Sequence, residues 1–354
     1  MKRIVLTGGG SAGHVTPNLA LIPELKRQGY DIHYIGTEKG IERGLIENVA
    51  GISYHAVKSG KLRRYFSVEN FKDPFKVVYG AFQAFRLIGK LKPDVLFSKG
   101  GFVSVPVVIG AWLNGVPAVC HESDLTPGLA NRICALFCKK VAVTFPECRD
   151  AIGEKAVLTG TPMRRELFEG SRARGLSLIG ARGDKPVLLM MGGSLGAQSV
   201  NKVLREALPE LTGWLHVFHL CGKGNLDQGF SQTPGYTQME YLSGGLPDAL
   251  AATDLVLSRA GSNAICEFHA LKKPMLLVPY PKGASRGDQI LNAKSLEKRG
   301  LCHVLLQEDL NKESLVKAVH RLYDARRALD RAMAEHPAAE GTQAVLKLIQ
   351  DHQK

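Results

Sequence analysis

Three short segments carry residue types and spacings that could do chemistry. Thr7-Gly8-Gly9-Gly10-Ser11-Ala12-Gly13 follows a short apolar run at the start of the chain. Ser98-Lys99-Gly100-Gly101 follows a second such run, and Met191-Gly192-Gly193-Ser194-Leu195-Gly196-Ala197 follows a third. A glycine-rich turn between a strand and a helix presents bare backbone N–H groups at a helix N-terminus, which is a ready anion site. The first turn contains Gly8-x-Gly10-x-x-Gly13, the spacing of a dinucleotide fingerprint. That fingerprint also wants an acidic residue at the end of the second strand. Here the strand ends Tyr34-Ile35-Gly36-Thr37, and Glu38 comes one residue late. A nicotinamide-dependent oxidoreductase therefore stays open only as a fold-level analogy, beside the bland reading of tight turns that bind nothing. No Gly-Lys-Ser/Thr follows the turns, which excludes a Walker P-loop.

These turns need strands and helices to position them, and the chain supplies both in alternation. Strand patterns fall at Ile4–Thr7, Ile32–Ile35, Ile52–Val57, Val95–Ser98, Ala118–Cys120, Val141–Thr144 and Val157–Leu158 in the first half. In the second half they fall at Val187–Met191, Leu215–Leu220, Thr237–Leu242, Leu255–Ser258, Met275–Pro279 and His303–Leu306. Several are solid Val/Ile/Leu runs bounded by Gly or Pro, the pattern of parallel strands covered on both faces. Helix patterns lie between them, among them Pro17–Gln28, Leu129–Phe137, Ala197–Leu211 and Ala264–Leu271, with Pro17 in a first turn where its missing N–H is harmless. The expectation is an α/β protein of two doubly wound, Rossmann-like domains. The boundary is placed near Thr161, giving domains at 1–161 and 162–337, with the last helix, about 338–354, expected to join the first.

Composition agrees with an ordinary globular protein. The 354 residues suit two domains. Hydrophobic residues make up 45% and charged residues 22%, which excludes disordered, collagen-like and coiled-coil chains. The seven cysteines are odd in number and form no Cys-x-x-Cys, so buried free thiols are expected rather than a zinc ribbon or a disulfide framework. Gly100 to Cys120 lacks charge for about 21 positions, the length of a membrane span. Its four glycines, two prolines and Asn114 are instead spaced like loop, helix, turn and strand.

The glycine segments, with others in the same order, resemble the MurG family of glycosyltransferases, of glycosyltransferase family 28. Gly9-Gly10-Ser11-Ala12-Gly13-His14-Val15 resembles that family's first loop, and Ser98-Lys99-Gly100-Gly101-Phe102-Val103-Ser104 its second. His121-Glu122-Ser123-Asp124 followed by Gly128-Leu129-Ala130-Asn131 resembles its His-Glu segment. Gly160-Thr161-Pro162-Met163-Arg164, Gly192–Ala197, Ser258–Glu267 and Gly287–Ala293 resemble its hinge, nucleotide loop, Arg-x-Gly segment and Gln-x-x-Asn helix. Phe102, Asp124, Thr161 and Asp288 stand where the family more often has Tyr, Asn, Asn and Gln.

The resemblance implies a GT-B fold whose two domains face each other across a cleft. It implies transfer of N-acetylglucosamine from UDP-N-acetylglucosamine to the C4 hydroxyl of lipid-linked N-acetylmuramic acid (lipid I), with inversion. A non-catalytic sugar-nucleotide-binding protein is the other alternative. Inversion needs a base for the hydroxyl and a stabilised leaving group. His14 is the first candidate base, since an unperturbed imidazole titrates at about 6.5; Glu122 is the alternative. Donor contacts are expected from Ser11, Ala12, Gly13, Asp124, Arg164, Ser194, Leu242, Ser262, Asn263, Ala264, Glu267, Gln289 and Asn292. Among these, the family implies Glu267 for the ribose hydroxyls. Gln289 and Asn292 lie three apart, so they share a helix face and can present amides to the sugar. No Asp-x-Asp occurs, so no metal and no cofactor are expected.

The formal net charge is +13. Lys58 to Lys99 carries ten Lys/Arg interleaved with aromatics. Phe71, Phe75, Tyr79 and Phe82 recur at helical spacing, which fits either a core-facing stripe or, with Lys61, Arg63 and Arg64, a patch that docks on the anionic inner leaflet. No nucleic-acid motif occurs, and nucleic acid is not expected. The implied location is the cytoplasmic face of a bacterial membrane, held peripherally, with cell-wall synthesis proteins as possible partners.

Overall fold

The computed structural model describes residues 2–60, 69–193, 196–242, 244–283, 287–339 and 341–354, and over 69–76 the backbone alone. The chain divides into two units. Unit 1 is Met1–Arg164 with Ala339–Lys354, and unit 2 is Arg165–Ala338.

Unit 1 holds β1 Arg3–Thr7, β2 Asp31–Gly36, β3 Ile52–Ala56, β4 Val95–Ser98, β5 Ala118–Glu122, β6 Lys140–Val143 and β7 Ala156–Leu158. They form one parallel sheet in the order β3-β2-β1-β4-β5-β6-β7. The five inner strands, β1, β2 and β4 to β6, are almost wholly buried because helices cover both faces, which is why their sequences read as continuous apolar runs, whereas the edge strands β3 and β7 are partly exposed. One face packs Leu21, Ile22 and Leu25 of the helix Thr16–Arg27 with Val345, Leu346 and Ile349 of the last helix, Gly341–Asp351. The other face packs Ala84 and Ile88, Val107 and Val108, and Cys134 from three further helices. Each fully buried Leu or Ile contributes about 1.5–3 kcal/mol, so Leu346 and Ile349 account for the return of the C-terminal helix to this unit. The return is also pinned locally: Met163 N donates to Thr342 Oγ1 at 3.0 Å, and a Cβ on Gly341 would lie 2.2 Å from the Thr161 carbonyl oxygen.

Unit 2 holds β8 Val187–Met191, β9 His216–Leu220, β10 Tyr236–Met239, β11 Leu255–Ser258, β12 Met275–Leu277 and β13 His303–Val304. Its sheet is also parallel, in the order β10-β9-β8-β11-β12-β13. β10 and β12 stop short of the sequence patterns at Leu242 and Pro279. The ladder ends where the neighbours end: Met239 pairs with Leu220, the last residue of β9, and Leu277 with Ser258, the last of β11.

In each sheet the strand order reverses once, between β1 and β4 and between β8 and β11. At such a switch point the loops leaving the two strands diverge to opposite faces and open a crevice at their C-terminal ends, where ligands of doubly wound sheets bind. All three glycine turns leave a strand that flanks a switch point. The uncharged stretch resolves into the helix Ser104–Leu113 and β5, and no helix among the described residues is long and apolar enough to cross a membrane. All seven cysteines are free.

Candidate active site

In unit 1 the two glycine turns touch. Gly9 N approaches Gly100 O at 3.4 Å, and a Cβ on Gly101 would sit 2.1 Å from Gly9 O. Gly101 has φ +84° and Gly10 φ +85°, the left-handed region that glycine alone enters freely. A Cβ on Gly10 would meet the Phe102 ring at 2.4 Å. Glycine is therefore required here by close backbone approach.

The contact places His14 at the end of the short 3-10 turn Ala12–His14. Its Nδ1 lies 3.0 Å from Gly9 O and 3.1 Å from Ser11 Oγ. A carbonyl only accepts, so Nδ1 carries the proton and the basic lone pair of the neutral ring is on Nε2. That is the tautomer a base acting through Nε2 needs. Ser11 and Gly13 are exposed, and Ala12 and His14 half-buried.

Glu122, at the end of β5, is 5% exposed. Oε1 accepts from Asp124 N at 2.9 Å, and Oε2 from Gly128 N and Asn131 Nδ2, both at 2.9 Å. Three donors hold the carboxyl in place, and it folds the loop Ser123–Gly128 around itself. Asn131 also packs its amide where a Cβ on Gly100 would go, 2.7 Å away. Glu122 thus braces the loop that carries Asp124. Lys99, 1% exposed, extends along the same loop, and its Nζ donates to Ser123 Oγ. Beneath them His121 is fully buried, its Nε2 is 2.9 Å from Gly160 O, and burial holds the imidazole well below its ordinary range and so neutral.

One residue that sequence reasoning missed is Glu42. It is wholly buried in a cage of Gly9, Gly36 and Gly40, and accepts from Gly10 N at 3.2 Å, Thr37 N at 2.9 Å and Thr37 Oγ1 at 2.6 Å. A side-chain carboxyl of the chain itself occupies the Gly10 N–H that a pyrophosphate would need. The first turn is therefore no open dinucleotide cradle, which removes the physical basis of the oxidoreductase alternative. The paired glycines Gly36 and Gly40 around Glu42 are its only trace in the sequence.

Unit 2 assembles a second cluster at its own switch point. In the loop Gly192–Ala197, Gly196 at φ +78° would carry a Cβ 2.1 Å from Cys221 O. Ser194 lies outside the described residues. Beyond β11, Gly261 caps the helix Ser262–Ala270, whose first turn supplies the backbone of Ser262, Asn263 and Ala264; Glu267 follows on the same helix, half-buried. Arg259, the arginine of the Arg-x-Gly segment, is 5% exposed and braces this region. Nη1 donates to Val278 O at 3.0 Å, Nη2 to Ser199 Oγ at 2.9 Å, and the guanidinium lies 4.2 Å from the Tyr280 ring centre. Burial lowers its proton affinity below the ordinary arginine value.

Gln289 and Asn292 lie on the helix Asp288–Lys298. Gln289 Oε1 accepts from Tyr280 N at 3.1 Å, and Asn292 is fully buried with Nδ2 3.4 Å from Ala260 O. Both amides tie neighbouring loops together. Leu242 is half-buried in the loop after β10. Arg164 closes unit 1, and its Nε is buried without a hydrogen-bond partner.

Residues 4–143 match the glycosyltransferase family 28 N-terminal domain, and residues 187–349 match the family's C-terminal domain. The chain belongs to glycosyltransferase family 28. It is 55% identical over 351 residues, 99% of each chain, to the UDP-N-acetylglucosamine--N-acetylmuramyl-(pentapeptide) pyrophosphoryl-undecaprenol N-acetylglucosamine transferase of Geobacillus thermodenitrificans. A Bacillus cereus transferase of the same name is 54% identical over 99% of this chain and 100% of its own. The crystal structure of MurG from Acinetobacter baumannii superposes with a TM-score of 0.79 at 26% identity, covering 99% of this chain and 100% of that one. This family 28 member therefore has the two Rossmann-like domains of the GT-B class.

The basic, aromatic segment is placed in part. Lys61, Arg63 and Arg64 lie outside the described residues, as do the side chains of Phe71 and Phe75. On the helix Glu69–Leu91, Ala84 and Ile88 face the core, whereas Tyr79, Phe82 and Phe85 are exposed, Phe82 by 54%. Trp112, Leu113 and Leu136, on the two neighbouring helices, are exposed as well.

Proposed function

We propose that this chain transfers N-acetylglucosamine from UDP-N-acetylglucosamine to the C4 hydroxyl of lipid I, inverting the anomeric centre and giving lipid II for peptidoglycan synthesis. The observation that carries the reading is the identity of 52–55% over essentially the whole chain with curated transferases named for that reaction.

The chemistry is a single displacement. His14 takes the proton of the acceptor hydroxyl on Nε2 while Gly9 O holds Nδ1–H, so the ring needs no reorientation as it becomes cationic. Glu122 serves as a positioning residue, because both its oxygens are engaged by the loop it folds. The leaving UDP is stabilised by the backbone N–H groups of the loop Gly192–Ala197 with Ser194, by the first turn of the helix Ser262–Ala270, and by the charge of Arg164. The buried, unpartnered Nε of Arg164 supports that role. Glu267 accepts the ribose hydroxyls, Leu242 meets the uracil, and Gln289 and Asn292 hold the loops around the sugar. Ser11, Ala12, Gly13 and Asp124 complete the sugar side. No metal step is needed in this scheme.

The exposed face of Tyr79, Phe82, Phe85, Trp112 and Leu113 supports peripheral docking on an anionic membrane beside the lipid-linked acceptor. Exposed apolar side chains on neighbouring helices, mixed with Arg86, Lys90 and Lys92, are what an interfacial patch needs. The test is to incubate the protein with UDP-N-acetylglucosamine and a lipid I analogue and to look for the disaccharide. Product formed in EDTA supports the whole scheme. Binding of the donor without product would leave a sugar-nucleotide-binding protein.

A further inference from the structure

We infer that unit 2 carries a second anion site, built for a di- or triphosphate group, at the end of its sheet opposite the glycine turn. A cavity of about 400 Å³ opens where β8, β11 and β12 begin. Lys185 and Pro186 lead into β8, Asp254 into β11, and Lys272 and Pro274 into β12. Arg326, Arg327 and Asp330 close it from the helix Lys312–Glu335. The five residues of β8, at about 3.3 Å each, separate it from Gly192, so it is distinct from the loop cluster described above.

The lining holds five cations against three carboxylates. Two of the five cations are engaged. Arg172 pairs with both oxygens of Asp254 at 3.0 and 3.1 Å, and Asp254 Oδ2 also accepts from Val187 N at 2.8 Å. Lys185 Nζ donates to Thr212 O at 2.7 Å, at the end of the helix Gln198–Leu211. The other three are Lys272, Arg326 and Arg327. Among the described residues none of them has a carboxylate oxygen within 4.0 Å. Asp184 and Asp330 are exposed.

One of the three is held in a fixed position by its side-chain contacts, and a second by a constrained backbone alone. The Arg326 guanidinium stacks on the Tyr323 ring, 3.6 Å from its centre, and Nη1 donates to Tyr323 O. A planar fork fixed in this way loses little freedom on binding and matches phosphate oxygens in pairs. Lys272 has φ +51°, one of only two non-glycine residues in the left-handed region among the described residues. It follows the end of the helix Ser262–Ala270, where glycine is the favoured residue. Keeping a lysine there places an ammonium at the cavity at the expense of backbone comfort. The volume falls within the range of small-ligand pockets, about 300–1,000 Å³. It exceeds the need of a simple anion and suits a chain of two or three phosphates, free or on a nucleotide.

The site is testable with the full chain and without any turnover assay. Only two tryptophans occur, and Trp214 lies 5.2 Å from the Tyr323 ring. In a Trp112→Phe background, inorganic tripolyphosphate should change Trp214 emission saturably, with UDP in excess and without it. Lys272→Gly with Arg327→Ala should weaken that binding by roughly a hundredfold, about tenfold for each charge-assisted contact removed. Lys272→Gly relieves a strained backbone, so an unchanged or higher melting temperature confirms that the variant is folded. Glu267→Ala should leave it unaltered. A response that never saturates, that survives the double variant, that UDP abolishes, or that only phosphatidylglycerol vesicles elicit would overturn the assignment.

Discussion

Replacing His14 by Ala removes two separable things, and their sizes differ. The Nδ1–H···O=C bond to Gly9, 3.0 Å long in a half-buried position, is a neutral hydrogen bond worth about 1 kcal/mol. In a unit of this size that lowers the melting temperature by about 2–4 °C. The proposed base on Nε2 would be worth about 10²–10⁴ in turnover, or about 2.7–5.5 kcal/mol of barrier. The loss of rate should therefore far exceed the loss of stability. His14→Asn separates the two, because an asparagine Nδ2–H can replace Nδ1–H toward Gly9 O but offers no base. Thermal scanning should find its stability largely restored, while single-turnover assays with a short-chain lipid I analogue find turnover still reduced at least a hundredfold. UDP-N-acetylglucosamine affinity, by calorimetry, should be unaltered in both variants. If His14→Asn turns over within tenfold of the parent, the proton goes elsewhere and the assignment of His14 fails.

Gly101→Ala places a methyl 2.1 Å from Gly9 O in a left-handed residue, so unit 1 should lose at least about 2 kcal/mol and turnover should fall with it; an unchanged melting curve would mean the two turns do not need each other. Glu267→Ala should raise the donor KM roughly tenfold by loss of a charged acceptor, with kcat nearly kept, and a change confined to stability would make Glu267 a packing residue. Reversing Lys61, Arg63 and Arg64 to Glu should weaken sedimentation with anionic vesicles well over tenfold, at about 1 kcal/mol per charge, while sparing turnover on a soluble acceptor; loss of that turnover would place the segment in the active cleft. Burial pulls the His219 pKa down to about 3, between Tyr236 OH at 2.8 Å and Asn201 Oδ1 at 3.0 Å. The unfolded chain then binds the extra proton first, so unit 2 should lose stability as pH falls from about 6.5 toward 3. His219→Gln should flatten that slope in chemical denaturation, and an unchanged slope would refute the linkage.

The alternation of buried strands and helices was legible in the sequence because parallel strands covered on both faces must be apolar throughout, and local composition records that. The glycine turns were legible for a similar reason: a positive φ or a close backbone approach admits little else, so Gly10, Gly101 and Gly196 announce themselves wherever the chain folds. The order of the motifs carried the family. What each carboxyl does was not legible. Glu42 and Glu38 look alike in a row of residues, yet only Glu42 falls into the cage of Gly9, Gly36 and Gly40, because β1 and β2 pair in parallel and bring the ends of both strands together. Glu122 reads as an alternative base beside a histidine, and only the tertiary structure shows its oxygens engaged by Gly128 and Asn131. The aromatic run at Phe71–Phe85 has the spacing of a core stripe. Only the packing of the helix by Ala84 and Ile88 decided that Tyr79 and Phe82 face outward. Helical spacing says which residues share a face, but which face meets the core depends on side chains distant in sequence. The cation cluster of Lys272, Arg326 and Arg327 is the same case. Two of its members sit on one helix and the third more than fifty residues earlier, and tertiary contact alone makes them one site.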